Sequence, residues 1–339
     1  MPINSLIIDK IPTAKGINRC WDQMISSPYQ KLDLLIHLEK YNYCNQRYYV
    51  GREHDNYRVG AVLYSLKINI LTYAKYTLNI PMTVIGIPAS VDAGGLVGDK
   101  SLYAVIISHI LKHEKRVILC LNYSEPLEIS KVVEMQTLPT LILNNIYSTF
   151  SHYLSDLRHK YRRRIKCANK KGFGLRETES SCSSFTLSHY ELYLNILNRT
   201  KTKLEVLTQD FFVNLPETFK LYSIYRENEL LTWHITTMQN GVYYFLFGGI
   251  NYDLRDKYDS YYNNLISIIK KGIENKCHTI NFGQTAEVSK VRLGAKLNTK
   301  KMFLHHSNGF INNILRMIKP VIEYKARTVN GVVLKNSTT

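Results

Sequence analysis

The sequence predicts an α/β (α+β) protein with two similar halves, each a mixed, mostly antiparallel sheet flanked by helices. Three observations support this prediction. Two strand-rich segments share one order of elements, an Asn-Gly pair separates two alternating segments, and one long helical pattern lies between the halves. The length of 339 residues is also typical of two domains.

The second half gives the clearer pattern. Apolar and polar residues alternate in Phe219 to Arg226, Leu230 to Met238 and Val242 to Phe247, which is typical of strands. Asn240-Gly241 predicts a tight hairpin because both residues tolerate positive φ. Apolar residues then recur at helical spacing from Tyr262 to Ile273, and a short strand follows. The predicted order is three strands, a helix and a strand.

The first half repeats that order without repeating the residues. Strands are predicted at Tyr48 to Arg52, Arg58 to Tyr64 and Met82 to Ile87. Helical spacing follows in Ser101 to Leu111, and Arg116 to Leu121 is typical of a buried strand. The repeated order predicts two domains of one architecture.

A single helix is predicted between the halves, from Phe150 to Lys171, because its apolar residues recur at steps of three and four. We therefore place an N-terminal domain at 1–148 and a C-terminal domain at 149–339. Phe310 to Tyr324 is also predicted to be helical, and the chain after Ala326 is predicted to be loose.

The charge is strongly positive. Lys and Arg number 44 against 27 Asp and Glu, a formal net charge of +17. Anionic partners are favoured: a phosphate-bearing cofactor, a nucleic acid or a membrane surface. Eight of these cations, with no acid, fall in Leu157 to Lys171. Arg162 and Arg163 are candidate phosphate contacts there, and a solvated helix face is the alternative.

Several functional classes lack their motifs. The six cysteines have no metal-ligand spacing, and no Walker A loop, HExxH or GxSxG is present. We therefore expect no metal. The scattered cysteines predict reduced thiols. With no signal peptide at the start and no apolar run of about 18 residues, they predict a cytoplasmic protein.

Five residues in the second half are candidates for catalysis or ligand binding. His234 lies mid-strand, where it is either a general base or a hydrogen-bonded structural residue. Tyr258 and Tyr261 lie near a helix start and are candidate proton donors, with core packing as the alternative. Lys290 and Arg292 follow the last strand and can hold a phosphate or carboxylate, unless they are ordinary exposed cations.

Three segments resemble the FemAB-like and CelD-type branch of the GNAT acyltransferases. They read YLSDLRHKYRRRIKCANKKGF, YYFLFGGINYDLRDKYDSYYNNL and INFGQTAEVSKVRLGAK, and cover about Tyr153 to Lys296. The first domain matches only in element order. The resemblance implies two tandem GNAT-like domains and a bacterial-type biosynthetic transferase that moves an acyl or aminoacyl group to an amine.

The function that this resemblance implies is N-acyl transfer by direct attack of a small amine on an acyl-CoA or acyl-carrier-protein thioester. The amine would lose its proton to His234 or through water. A backbone N–H of the strand ending at Gly248 and Gly249 would polarise the carbonyl. Tyr258 or Tyr261 would protonate the leaving group. The donor would be held by the remaining candidates, Gln284, Lys290, Arg292, Arg162 and Arg163.

Two other functions stay open. One is a FemAB-type ligase that takes amino acids from aminoacyl-tRNA, although Ser188 to Leu215 is too short for the helical arm of those ligases. The other is a basic module that binds nucleic acid or a membrane surface without turnover. The stretch Asn251 to Tyr262 lacks the usual GNAT pyrophosphate loop, which puts direct binding of coenzyme A in doubt.

Overall fold

The computed structural model describes residues 6–71, 76–89, 91–200, 204–325 and 332–335. The chain forms two compact units that interleave along the sequence. The first unit consists of Met1–Leu138, Thr202–Phe211 and Thr299–Lys325; the second consists of Pro139–Lys201, Phe212–Asn298 and Ala326–Thr339. The predicted domain limits, 1–148 and 149–339, stay a prediction.

The described residues form strands and helices throughout. The strands are β1 (Ile7–Ile11), β2 (Arg47–Glu53), β3 (Asn56–Asn69), β4 (Asn79–Ile85), β5 (Leu96–Gly98), β6 (Val117–Tyr123), β7 (Val133–Asn144), β8 (Arg176–Ser181), β9 (Lys220–Arg226), β10 (Glu229–Gln239), β11 (Val242–Ile250), β12 (Thr279–Asn281) and β13 (Lys296–His305). The α-helices are α1 (Leu32–Tyr41), α2 (Tyr103–His113), α3 (Phe150–Asp156), α4 (His159–Lys171), α5 (Leu187–Arg199), α6 (Gln209–Val213), α7 (Tyr252–Tyr258), α8 (Ser260–Glu274), α9 (Glu287–Val291) and α10 (Gly309–Ile322).

In the first unit, β1, β2, β3 and β4 are antiparallel neighbours, β4 pairs in parallel with β6, and β6 pairs with β13. Both faces of this sheet are covered. Ile118 and Cys120 of β6 pack in one core cluster with Ile106 of α2, whereas Leu119 packs in another with Leu315 of α10. Successive side chains of a strand point to opposite faces, so α2 and α10 cover different faces.

In the second unit the strand order is β7, β12, β11, β10, β9, β8. Among the strands described in this unit, only β11 and β12 pair in parallel. Leu265 and Ile269 of α8 share a cluster with Ile280 of β12. On β10, the Trp233 ring packs against Phe185 and Phe212. Both units therefore have the predicted mixed, mostly antiparallel sheet flanked by helices.

The prediction of one helix over 150–171 is wrong. The helix is broken at Leu157, whose extended backbone forms a bridge with Leu334. Arg158 also donates its N–H to the carbonyl of Val333 at 3.0 Å. Periodicity hides this break because Leu157 and Ile165 are buried in the same cluster. The prediction of a loose tail is likewise wrong for residues 332–335, while 326–331 and 336–339 lie outside the described residues.

Among the helices that the structure describes, none combines the length and the apolar composition needed to cross a bilayer. All six cysteines are free thiols.

Candidate functional site

The second unit contains a parallel strand pair whose strands part along their length. β11 pairs with β12 only at Val242–Tyr244, opposite Thr279–Asn281, although β11 continues to Ile250. We call this divergence the β11–β12 fork; its sides are Phe245–Ile250 and the loop Phe282–Gln284. The described residues record no further β11–β12 pairing beyond Tyr244.

The chain after β12 stays beside β7 instead of following β11. Phe282 donates its N–H to the carbonyl of Leu141 at 2.9 Å, and Leu141 donates back to Gly283 at 3.0 Å. Gly283 has a φ of +65°, a conformation that glycine adopts without strain. These two hydrogen bonds and this turn hold one side of the fork.

A β-bulge lies on the other side of the fork. Phe247 pairs with Ile235 and Phe245 pairs with Thr236, which leaves Leu246 as an extra residue on β11. A bulge increases the local twist and re-aims the residues beside it, and bulges are frequent next to active sites. The bulge therefore turns β11 at the level where it leaves β12.

The predicted glycines lie just beyond this bulge, where packing already requires small residues. Gly249 pairs with Trp233, and a Cβ on Gly249 would lie 2.1 Å from the indole Nε1. Gly248 pairs with His234, and its Cβ would lie 3.0 Å from the Trp233 carbonyl oxygen. This close packing gives both glycines a structural role. Their role in donor binding stays a prediction.

His234 is fully buried on the face of β10 that α8 covers. Its Nδ1 lies 2.6 Å from Oδ1 of Asn264, and its ring stacks on Tyr222 with centroids 4.8 Å apart. Burial lowers the pKa of His234 to about 4. The imidazole is thus neutral near pH 7 but enclosed, and its Nε2 makes no hydrogen bond within the described residues.

Lys290 of α9 is buried and holds the loop of the fork. Its Nζ donates to the carbonyls of Phe282 and Gln284, each at 2.7 Å, and lies 5.8 Å from the Phe245 ring centroid. The structure thus brings Lys290 and Gln284 together, as parts of one loop. Arg292, only two residues further along the chain, is exposed to solvent, whereas Lys290 is buried.

Arg164 was not among the predicted site residues. Its guanidinium binds the carboxylate of Asp259 through two hydrogen bonds of 2.5 and 2.7 Å and lies 4.1 Å above the Tyr262 ring. Burial raises the pKa of Tyr262 to about 12, while Arg164 and Arg292 act to lower it. Arg292 therefore lies near this cluster. Arg164 is the last of three consecutive arginines, and the sequence does not indicate which of the three contacts Asp259.

The two candidate proton donors lie near the junction of α7 and α8. Tyr258 is the last residue of α7 and is half-buried. Tyr261 lies in the first turn of α8, packs against the core, and has its pKa raised mainly by burial. Tyr261 therefore keeps its proton at neutral pH, as a general acid must. No hydrogen bond links either phenol to Lys290 in the described part of the chain.

The other predicted cations lie on the outer face of α4. Arg163 is exposed and Arg162 is half-buried, and neither makes a recorded ion pair within the described ranges. Near them, Lys171 donates to the carbonyl of Asp256 at 2.8 Å, so α4 is attached beside α7. In the same ranges, no cluster of three or more His, Cys, Asp or Glu residues could hold a metal ion.

Residues 155–290 match a family model described as an acetyltransferase (GNAT) domain. A conserved protein of unknown function from Bacteroides thetaiotaomicron has a similar fold, with a TM-score of 0.54 at 9% identity over 88% of this chain and 99% of that chain.

Two further structures align with lower TM-scores. FemX aligns with a TM-score of 0.49 at 13% identity, over 80% of this chain and 90% of its own. A tandem GNAT protein from the clavulanic acid biosynthesis pathway aligns with a TM-score of 0.48 at 9% identity, over 88% of this chain and 98% of its own. No curated protein sequence matches the chain. Residues 155–290 therefore form a GNAT acetyltransferase domain, of the superfamily whose FemAB-like branch the sequence resembles.

Proposed function

We propose that this chain is an N-acyltransferase that moves an acyl group from a coenzyme A or carrier-protein thioester to a small amine. The observation that supports this proposal is the β11–β12 fork inside the GNAT domain. An extended donor arm can lie along the part of β11 that no longer pairs with β12, as an added strand does. Such an arm would carry its thioester towards the bulge at Leu246.

The reaction is a direct attack. The amine nitrogen adds to the thioester carbonyl carbon, and main-chain N–H groups of β11 near Gly248 stabilise the negative charge on the oxygen. The C–S bond then breaks, and Tyr258 or Tyr261 gives its proton to the thiolate. The amine proton leaves through water, because the burial of His234 disfavours the alternative route through that imidazole.

The anionic part of the donor would be held by exposed cations. Arg292, Arg162 and Arg163 are the residues proposed for this role. Lys290 is proposed to act indirectly, since two main-chain carbonyls already hold its ammonium group. The loop that it fixes includes Gln284, which would line the entry to the fork.

The proposal is tested by thermal unfolding in the presence of coenzyme A, acetyl- and longer acyl-coenzyme A, an acyl-carrier protein, and bulk tRNA. A ligand at about 100 times its Kd adds roughly 2.7 kcal/mol of stability. We expect stabilisation by one acyl length of acyl-coenzyme A and release of free thiol when an amine is added. Stabilisation by no thioester, including an acyl-carrier protein, would refute the proposal.

A second candidate is transfer of an amino acid from aminoacyl-tRNA. The outer face of α4 favours it, because Arg163, Lys166 and Lys170 are exposed on one helix without a recorded ion pair. A polyanion offsets such like charges. Stabilisation by tRNA alone that is lost at moderate salt would select this candidate.

A further inference from the structure

Helix α10 carries a continuous apolar stripe on its solvent-facing side. Phe310 and Met317 are 74% and 80% exposed, and Ile314 and Val321 are more than 40% exposed. Steps of four, three and four residues place these side chains on one narrow face. The adjoining face, about 100° round the helix, packs Leu315 and Ile322 into the core. The stripe is therefore not required for the helix to be held on its unit.

The stripe is long enough to make an interaction surface. Phe310 and Val321 are eleven residues apart, or roughly 16 Å along the helix axis. Soluble proteins rarely leave a continuous apolar patch uncovered unless it binds something. An amphipathic helix with such a stripe lies in the plane of a membrane interface instead of spanning the bilayer.

The charges around the stripe favour an anionic surface. No acid occurs from Gly309 to Ile322. Arg316 is exposed beside the stripe, and Lys325 follows the helix. The exposed residue Lys131 lies against the first turn, because its carbonyl accepts from Asn312 at 2.6 Å. Glu323, the nearest acid after the helix, accepts from the Gln136 N–H at 2.9 Å.

Two occupants can be compared on charge. A second copy of the chain would bring together two proteins of net charge +17, each with Arg316 beside its stripe. A bilayer with anionic headgroups instead attracts these cations, by about 1 kcal/mol for each cation near the surface. We propose that α10 docks on the surface of an anionic lipid membrane, with Phe310 and Met317 inserted between the headgroups.

The proposal is tested by co-sedimentation of the full chain with vesicles, which requires no acyl transfer. We expect binding to vesicles of phosphatidylcholine with phosphatidylglycerol, and weaker binding to phosphatidylcholine alone. The double variant Phe310→Ser/Met317→Ser should bind the anionic vesicles about tenfold more weakly or worse, because it removes the inserted apolar area.

The matched control is Ile146→Ser/Phe173→Ser, which removes two exposed apolar side chains from the second unit. This control should bind the anionic vesicles like the unsubstituted chain. Both double variants should unfold at the same temperature as the unsubstituted chain. Equal binding by Phe310→Ser/Met317→Ser would overturn the proposal. So would failure of the unsubstituted chain to bind anionic vesicles. If size-exclusion chromatography then showed a dimer that the same variant abolishes, a second copy would be the occupant.

Discussion

Both units contain a parallel strand pair joined through a helix, but the two pairs differ in how far they stay together. In the first unit, β4 pairs with β6 from Met82 to Ile85, the end of β4. In the second unit, β11 pairs with β12 over its first three residues and then continues alone. The antiparallel neighbours differ as well. β3 and β4 pair without a register shift, whereas β10 and β11 contain the bulge at Leu246.

This difference shows that one architecture can leave a strand paired to its end in one unit and partly unpaired in the other. A strand paired to its end satisfies its main-chain groups within the sheet and offers no edge to a ligand. A bulge combined with an early end of pairing exposes part of a strand without removing it from the sheet. On this comparison we expect ligands of the acyltransferase to bind in the second unit.

The largest effect is expected from adding one methyl group beside the fork. Gly249→Ala would place a Cβ 2.1 Å from the indole Nε1 of Trp233, so we expect a loss of about 3 kcal/mol or more. The matched change after β4 is Gly86→Ala, whose Cβ would lie 3.4 Å from Tyr64 and should cost less than about 1 kcal/mol. Urea unfolding measures both. Equal losses would mean that the two units pack these positions alike.

The two units can also be compared by the loss of stability at low pH. Burial lowers the pKa of His37 in the first unit, and of His189 and His234 in the second, to about 4. As the pH drops, these histidines become protonated near pH 6.5 in the unfolded chain but only near pH 4 in the folded chain. The free energy of unfolding should therefore fall between about pH 6.5 and about pH 4, by up to about 3 kcal/mol for each histidine. His234→Gln should flatten this fall, measured as the slope of unfolding free energy against pH. An unchanged slope would show that His234 is not held neutral.

Substitutions of the two cations after β12, Lys290 and Arg292, should affect stability and catalysis differently. Lys290→Met removes the ammonium group that donates to the carbonyls of Phe282 and Gln284, so we expect a loss of about 2 kcal/mol and slower acyl transfer. Arg292→Ala should leave stability unchanged and raise KM for the donor. Thermal unfolding and initial rates measure both variants. The reverse pattern would restore Lys290 as the ligand-binding residue.

The smallest effect is expected on α4. Arg164→Gln removes the ion pair with Asp259 and the contact with Tyr262, which should cost about 1 kcal/mol at this partly exposed site. Arg163→Gln, the neighbouring control, should not change the unfolding temperature but should weaken binding of anionic ligands. If both variants unfold alike, Arg164 does not anchor the helix.

The sequence predicts the elements whose patterns are local. The alternating strands around Asn240-Gly241 and the helix through Tyr262 are confirmed, with limits shifted by a few residues. Five of the described strands were not predicted, namely β1, β5, β7, β8 and β13, and the last three show why. β8 reads RETESS and is mostly polar, β7 contains Pro139, and β13 begins with polar residues. The formation of these strands depends on pairing with partners that are distant in sequence. A local pattern of residues does not indicate such pairing.

The structure shows where the candidate site residues lie, and their roles stay predictions. The segments around Gly248 and Gln284 do form the two sides of the fork. The alternation of β10 could not decide which way His234 points, since a one-residue shift reverses the faces of a strand. Nor could spacing distinguish buried Lys290 from exposed Arg292, because the difference depends on carbonyls that the fold brings to Lys290.

The bridge between Leu157 and Leu334 has a practical consequence for anyone who handles this protein. Lys335 donates its main-chain N–H to the carbonyl of Asp156 at 2.8 Å, and Gly294 leaves little room beside Leu334. The last described residues thus brace the start of the arginine-bearing helix and the segment after α9. A truncation that removes Leu334 would therefore alter the attachment of α4 from a position remote in sequence.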